Sequence, residues 1–466
     1  MSPTDLLAGR RRRVAFGLAT LLCVAVLVGG YAAAESESTL ARSGGTGAAA
    51  AEATDEGVVP PRENVTVVAT DSTAFLTDEG DGPRKRAELV AFAPNGSVSY
   101  RNESHTRYWD VDPVAGTDAT VEYLYADHLS PEDCNSGDVC TRNGVERVNL
   151  TTGNVTSVYS RVTPGKHSTR WHDADRIDGD RLLVADIAQD RAFVVNTTTE
   201  QVTWSWDAQT EFETSSGGDY PEDWTHINDV EYVELDGRTT AMLSLRNQDQ
   251  IVFVDMKTGL RENWTLGADD DHDTLYEQHN PDYIPAERGG PAVLVADSEN
   301  GRVVEYQREN GSWERAWEWR DQRLTWVRDA DRLPNGHTLI TDSNGDRVLE
   351  IDRSGSVVWS STVGFPYESE RLGTGDESAG GESAAALGLP DRTPNASNRS
   401  AVSDATTLLP APIVNSIAYV LPGWVGPVEA LAAVGLVVVL ALWTVFEWRR
   451  RSFEVHLRWP VEIRDR

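Results

Sequence analysis

Trp171-His172-Asp173-Ala174-Asp175-Arg176, then Leu182-Leu183-Val184-Ala185-Asp186, then Arg191-Ala192-Phe193-Val194-Val195 form a three-part phrase that recurs along the chain. A second copy reads Thr225-His226-Ile227-Asn228-Asp229-Val230, then Met242-Leu243-Ser244-Leu245-Arg246, then Ile251 to Val254. A third reads Gln278-His279-Asn280-Pro281-Asp282, then Val293-Leu294-Val295-Ala296-Asp297, then Arg302-Val303-Val304-Glu305-Tyr306. A fourth reads Val327-Arg328-Asp329-Ala330-Asp331, then Leu339-Ile340-Thr341-Asp342, then Arg347-Val348-Leu349-Glu350-Ile351. A weaker copy starts at Trp109-Asp110-Val111-Asp112-Pro113, and a partial one covers Asn64 to Arg101. His172, His226, His279 and Arg328 lie 54, 53 and 49 residues apart.

Each unit supplies three or four short β-type runs with hairpin signals such as Pro-Asn-Gly and Ser-Asn-Gly between them. Four-strand units of about 50 residues, repeated radially, describe β-propeller blades. The span from 64 to about 370 holds six. The first unit lacks an obvious innermost strand. The segment after Gly364 is the candidate to supply it and close the ring, which removes an exposed sheet edge. A pair of β-sandwiches explains the β content but not the in-phase His/Asp pattern. The expected class is therefore all-β, a six-bladed β-propeller flanked by an N-terminal and a C-terminal transmembrane helix.

The flanks carry the membrane expectation. Arg10 to Arg13 precede an apolar stretch, Val14 to Ala34, whose 21 residues span roughly 30 Å as a helix. A second apolar stretch runs from about Val428 to Phe446 and is followed by Arg449, Arg450 and Arg451. Positive charge outside both stretches puts both termini in the cytoplasm and the middle outside. A cleaved signal peptide ending near Ala32 and Ala34 is the rival reading of the first stretch, and it exports the middle as well. The expected organisation is a basic cytoplasmic N-terminus over 1–13, a membrane helix or signal anchor over 14–34, and a flexible linker over 35–62. The extracellular propeller follows over 63–370, then a flexible linker over 371–425, a membrane helix over 426–447 and a basic cytoplasmic tail over 448–466.

The charge balance excludes some classes. The chain has 42 basic against 74 acidic residues, net −32, which repels phosphate backbones and argues against nucleic acid as a partner. Only Lys85, Lys166 and Lys257 are lysines. An acid-coated, lysine-poor chain suits very high salt, where self-repulsion is screened, and a halophilic host is expected. The acidic runs then read as solvated surface. Asn-x-Ser/Thr sequons at Asn64, Asn95, Asn102, Asn149, Asn154, Asn196, Asn263 and Asn310, with two more at Asn395 and Asn398, mark the middle as a glycosylated, exported segment. Cys134 and Cys140 bracket a short polar loop and are expected to form a disulfide in an oxidising compartment.

Chemistry is expected on the axis. The first strand of each blade lines the channel, so His172, His226, His279 and Arg328 should converge at one end. Three imidazoles and a guanidinium would make a cationic, donor-rich pocket suited to an oxyanion. Imidazole also serves as nucleophile or as acid and base. The Asp186/Arg191, Asp297/Arg302 and Asp342/Arg347 pairs share one spacing and read as turns that stabilise blades. Arg246 stands where an Asp is expected, which singles it out. The three histidines lack the close spacing of a zinc site. No metal and no cofactor are expected.

Asp223-Trp224-Thr225-His226-Ile227-Asn228, followed by Leu243-Ser244-Leu245-Arg246-Asn247-Gln248, resembles the arylsulfotransferase family of exported six-bladed propellers. Gln278-His279 and Asp297-Ser298-Glu299-Asn300-Gly301-Arg302 resemble the next blade of that family. The likeness covers roughly 105 to 365 and, with the flanks, implies a haloarchaeal-type, membrane-anchored member. It implies transfer of a sulfuryl group from an aryl sulfate ester to a phenolic acceptor through a sulfated histidine, without the nucleotide sulfate donor. His226 and His279 would be channel histidines, and Arg246 or Arg302 would hold sulfate oxygens. Arg328 departs from the pattern where a histidine is expected, and His172 is the available substitute, so the nucleophile stays unassigned. The rival readings are a non-catalytic envelope propeller that binds an anion or glycan, and a metal-assisted hydrolase.

Overall fold

The computed structural model describes residues 3–42, 57–72, 87–134, 140–165, 170–321, 324–393, 411–421, 425–450, 453–456 and 462–465. Sequons at Asn395 and Asn398 lie outside them. Six four- or five-stranded antiparallel sheets follow one another and form the blades of a propeller. Blade two runs through Arg107–Pro113, Thr120–Leu129, Cys140–Asn149 and Asn154–Pro164. Blade three starts with a bridge at Trp171 and continues through Arg176–Asp178, Arg181–Asp186, Arg191–Asn196 and Gln201–Asp207. The inner strands of blades four, five and six are Ile227–Leu235, His279–Ile284 and Val327–Arg332.

Blade one closes the ring as its missing inner strand implied. Pro366–Arg371 pairs antiparallel with Thr66–Thr70, placing Thr66 opposite Arg371 and Val68 opposite Ser369. Both ends of the blade-forming chain therefore share one sheet.

The second strand of each blade is apolar on both faces, because each blade packs against two neighbours. Leu182 and Val184, with Trp171 of their own blade, enter a cluster with Trp109 and Leu124 of the blade before. Leu183 and Ala185 enter the opposite cluster, with Ile227, Leu243 and Val252 of the blade after. Six such clusters fill the six interfaces between blades. Each buried Leu or Val contributes about 1.5–3 kcal/mol, so these interfaces outweigh the surface ion pairs, which give about 0–1 kcal/mol each.

The Asp-x-Asp repeat has its own structural task. Alternate residues of an inner strand face the channel. Asp110 accepts a hydrogen bond from Ala174 N at 3.1 Å, Asp173 from Val230 N at 2.6 Å, and Glu231 from Tyr283 N at 2.7 Å. Asp329 accepts from Ser369 N at 3.0 Å and Glu368 from Val111 N at 3.0 Å. Each carboxylate staples its blade to the next. Between blades five and six a serine stands in: Ser378 Oγ accepts from Arg332 N at 2.7 Å and donates to Asp282.

Ser378 belongs to residues 372–393, which were expected in a flexible linker. They instead pack on blades five and six. Ser383 caps a short helix, Ala384–Leu387, and Asp391 accepts from Glu318 N at 2.8 Å. Buried Glu305 receives Ala384 N, which fixes the segment to the blade.

The terminal helices belong to a separate compact unit. Within it, Arg10–Ala32 and Val428–Arg450 are long and apolar enough to cross a membrane. They run antiparallel. Arg13 pairs with Glu447 at 2.6 Å and Phe16 stacks on Trp443, while Gly30 faces Glu429 at the other end.

Candidate active site

His172, His226, His279 and Arg328 all occupy the start of inner strands and meet at one end of the channel. Irregular pairing aims them there. Register shifts fall at Ile227/Asp229, His279/Asp282 and Val327/Asp329, and a bulge of this kind re-aims side chains at a strand end. His226 itself sits at φ 48°, a left-handed conformation that a residue with a Cβ adopts only when its surroundings hold it there.

The rings are in contact. His172 and His226 have centroids 5.1 Å apart, and His279 lies 6.3 Å from Tyr367. Tyr367 Oη is 2.8 Å from His172 Nδ1. Arg328 touches His279 Nε2 and lies over Trp326, with Cζ 3.8 Å from the ring centroid. Trp109 packs on His172 at 3.6 Å between centroids. All three histidines and Arg328 are at most 5% exposed.

The partners fix the tautomers. His226 Nδ1 lies 2.6 Å from Asp223 Oδ1, so it carries the proton and leaves the Nε2 lone pair free. Among the described residues His226 Nε2 has no hydrogen-bond partner, and neither has His172 Nε2. His279 Nδ1 lies 3.0 Å from the Glu277 carbonyl oxygen and 2.8 Å from Ser298 Oγ, so its Nε2 is the lone-pair nitrogen facing Arg328. Arg246 closes the group, 3.6 Å from Asp223 and 3.7 Å from Glu277.

The electrostatics revise one expectation. The imidazoles do not supply positive charge. Burial, reinforced by Arg246, lowers His226 to about 4, although Asp223 opposes the shift. Burial, then His226 and Arg170, holds His172 well below the ordinary range; burial, then Arg328 and Arg246, does the same for His279. At neutral pH the pocket holds three neutral imidazoles beside cationic Arg328 and Arg246. Asp223 stays ionised: burial works against its charge, but His226, Arg246 and Arg170 overcome it and hold the carboxyl below its usual range.

Arg302 does not join the group. Its guanidinium bonds Asp297 at 2.5 Å, Glu318 at 2.8 Å and the carbonyls of Asp273 and Thr274. Arg191 and Arg347 hold Asp186 and Asp342 in the same way. The repeated Asp/Arg spacing is thus the blade turn in all three places. Cys134 and Cys140 are joined in a disulfide with Cα atoms 6.0 Å apart. The eight sequon asparagines among the described residues are half-buried or exposed.

Three side chains of the site had no assigned role from sequence. Asp223 was visible three residues before His226. Tyr367 lies 195 residues from its histidine partner. Trp326 gave no signal beyond being aromatic.

No curated protein matches the chain. Among solved structures it is similar to a Bacteroides caccae protein of unknown function, with a TM-score of 0.43, 12% identity, and coverage of 66% of this chain and 97% of that one. It is similar to the periplasmic gluconolactonase of Pseudomonas aeruginosa, with a TM-score of 0.42, 14% identity, and coverage of 67% and 99%. Likeness this distant says nothing of activity. Residues 183–320, which carry His226, Arg246 and His279, match the family model of the arylsulfotransferases (ASST).

Proposed function

We propose that this protein is a membrane-anchored, arylsulfotransferase-like propeller that moves a sulfuryl group from an aryl sulfate to a phenol through a channel histidine. The observation that carries the reading is the contact between Arg328 and the lone-pair nitrogen of His279, with the Asp223–His226 pair beside it. A nucleophile, a base and a cationic holder of oxygens are what sulfuryl transfer requires.

His279 Nε2 attacks sulfur, forming the N–S bond as the bond from sulfur to the aryl oxygen breaks. Arg328 and Arg246 hold the sulfuryl oxygens and balance the charge that develops on the departing phenolate, which takes a proton from water on release. The acceptor phenol then binds. His226 Nε2 removes its proton, the phenolate oxygen attacks sulfur, and the N–S bond breaks. Asp223 stabilises the imidazolium so formed, and His226 returns that proton to water. His172, tied to Tyr367, lines the pocket. The match over 183–320 supports substrates of this class.

The second reading is an anion- or glycan-binding propeller without turnover. It is favoured by the same Arg328 contact, which covers the His279 lone pair in the absence of substrate.

We assign both apolar helices to the membrane, both termini to the cytoplasm and the propeller to the outside, with glycans on its sequons and a high-salt setting. The antiparallel helix pair and the arginines at its one end support this arrangement.

The full chain, purified in high salt with an aryl sulfate donor and a phenol, should release the donor phenol and form the acceptor sulfate. With donor alone, peptide mass spectrometry should find one sulfuryl group on the peptide containing His279. A His226→Ala variant should lose transfer. Equal turnover by that variant would remove the proposed site. Binding of a sulfate analogue without turnover on any aryl sulfate would select the second reading.

A further inference from the structure

One to three residues further along the inner strands than Trp109 and Tyr367, carboxylates gather with few cations among them. Asp110, Asp112 and Glu368 each offer an oxygen, and these oxygens all lie within 4.8 Å of one another. The nearby arginines are committed elsewhere: Arg332 bonds Glu305 at 2.9 Å and Arg371 bonds Glu350 at 3.1 Å. Some of these carboxylates have a task as blade staples. Asp110 and Glu368 each receive a backbone N–H from the next blade. Asp112 is bonded instead to the side chains of Asp110 and Asp376, and among the described residues it receives no backbone N–H, so the staples do not explain it.

An independent observation comes from a neutral side chain. Asn280 is 7% exposed, and its Nδ2 donates to Glu368 at 3.0 Å, so the amide tip lies at the carboxylate group. Its Oδ1 has no hydrogen-bond partner among the described residues. Ionised carboxylates have no hydrogen to offer it. A buried amide oxygen left without a donor costs about 1–3 kcal/mol, and a cation in the group would relieve it.

We propose that Asp110, Asp112, Glu368 and the Asn280 amide oxygen bind one calcium-type cation on the propeller axis. The donors are all hard oxygens, which select calcium or magnesium over softer metals. Calcium takes six to eight oxygens at about 2.4 Å, so oxygens on opposite sides of its shell lie about 4.8 Å apart. Magnesium keeps its waters and uses one or two carboxylates. A crowded set of three carboxylates and an amide therefore favours calcium. The ion would link strands of blades one, two and five, which the staples join only in neighbouring pairs.

The site is independent of sulfuryl transfer, and its test uses binding. The full chain in detergent is stripped with EDTA, dialysed against labelled calcium at constant high sodium chloride, and melted with and without calcium. One calcium per chain should remain bound, and calcium should raise the melting temperature. Asp112→Asn keeps the shape and leaves every staple in place. It should weaken calcium binding at least tenfold and abolish the calcium-dependent shift, while melting no lower than the stripped wild type. Asn280→Ala, which leaves the charge unchanged, should weaken binding to a smaller degree. A folded wild type that retains no calcium overturns the proposal, because protons then neutralise the group. Unchanged binding in Asp112→Asn overturns it as well, because the ion then sits elsewhere, as on the acidic run Asp269 to Asp273.

Discussion

Asp223 Oδ1 stands 2.6 Å from His226 Nδ1, three residues further along the chain, and this contact decides which imidazole nitrogen faces the channel. Asp223→Asn keeps the shape but presents an amide that can bond either tautomer. On the proposed mechanism kcat should fall by about 100-fold or more, the scale of a lost acid–base group, with little change in donor KM. Steady-state kinetics on both substrates checks this. An unchanged kcat would show that His226 is not the base.

The base should stay available well into acid. Burial and Arg246 hold His226 at about 4 in the folded protein, against 6.5 for a free imidazole. Its Nε2 is therefore unprotonated at all pH values above about 4. The acid limb of kcat/KM should centre near 4 rather than 6.5, measured on protein shown to be folded across the range. A limb at 6.5 would mean that water reaches the imidazole freely.

Arg302 and Arg246 should separate stability from activity. Arg302→Ala leaves buried Asp297 without its guanidinium, a loss of about 3–5 kcal/mol, while Glu318 keeps Arg315 and Arg320. Turnover per folded molecule should be preserved. Arg246→Ala removes longer, half-open ion pairs and one hydrogen bond to its neighbour Asn247, and should cost about 1 kcal/mol. Its turnover should fall about 100-fold, as for a lost oxyanion holder. Denaturation curves beside initial rates test both.

An alkaline transition should come from His105 in blade two. It lies between Asp127 at 3.0 Å and Glu146 at 3.1 Å and stacks on Tyr125. Burial lowers its pKa, but the two carboxylates overcome that and raise it to about 9. A raised imidazole stabilises the fold fully below 6.5, and the gain is lost as pH rises through about 9. The shift is worth about 3 kcal/mol. Wild type should lose stability over that window, and His105→Gln should show a flatter profile from a lower starting value. Parallel profiles would place the transition elsewhere.

The repeat was legible because a propeller uses one strand pattern six times in phase. Even the ring closure showed, as a gap in the first unit. Convergence of His172, His226, His279 and Arg328 followed from their shared position alone. Their charge did not, because it is set by burial that no single blade reveals. Arg302 shares a motif with Arg191 and Arg347, and the common Asp five residues earlier was the better guide to its place. Tyr367 reaches His172 only because the last strand joins the first blade. The segment 372–393 has the composition of a tether, yet Ser378, Ala384 and Asp391 meet buried acceptors and donors on the blades.

The pairing of Thr66–Thr70 with Pro366–Arg371 also fixes an order of events. Thr66 and its partner Arg371 are 305 residues apart, so blade one cannot finish until nearly the whole propeller has been synthesised. A chain cut short before 366 would leave Thr66–Thr70 as an unshielded edge, open to a neighbouring copy. The first blade must wait for the last strand during synthesis, and resistance to protease is expected to arrive in a single late step rather than blade by blade.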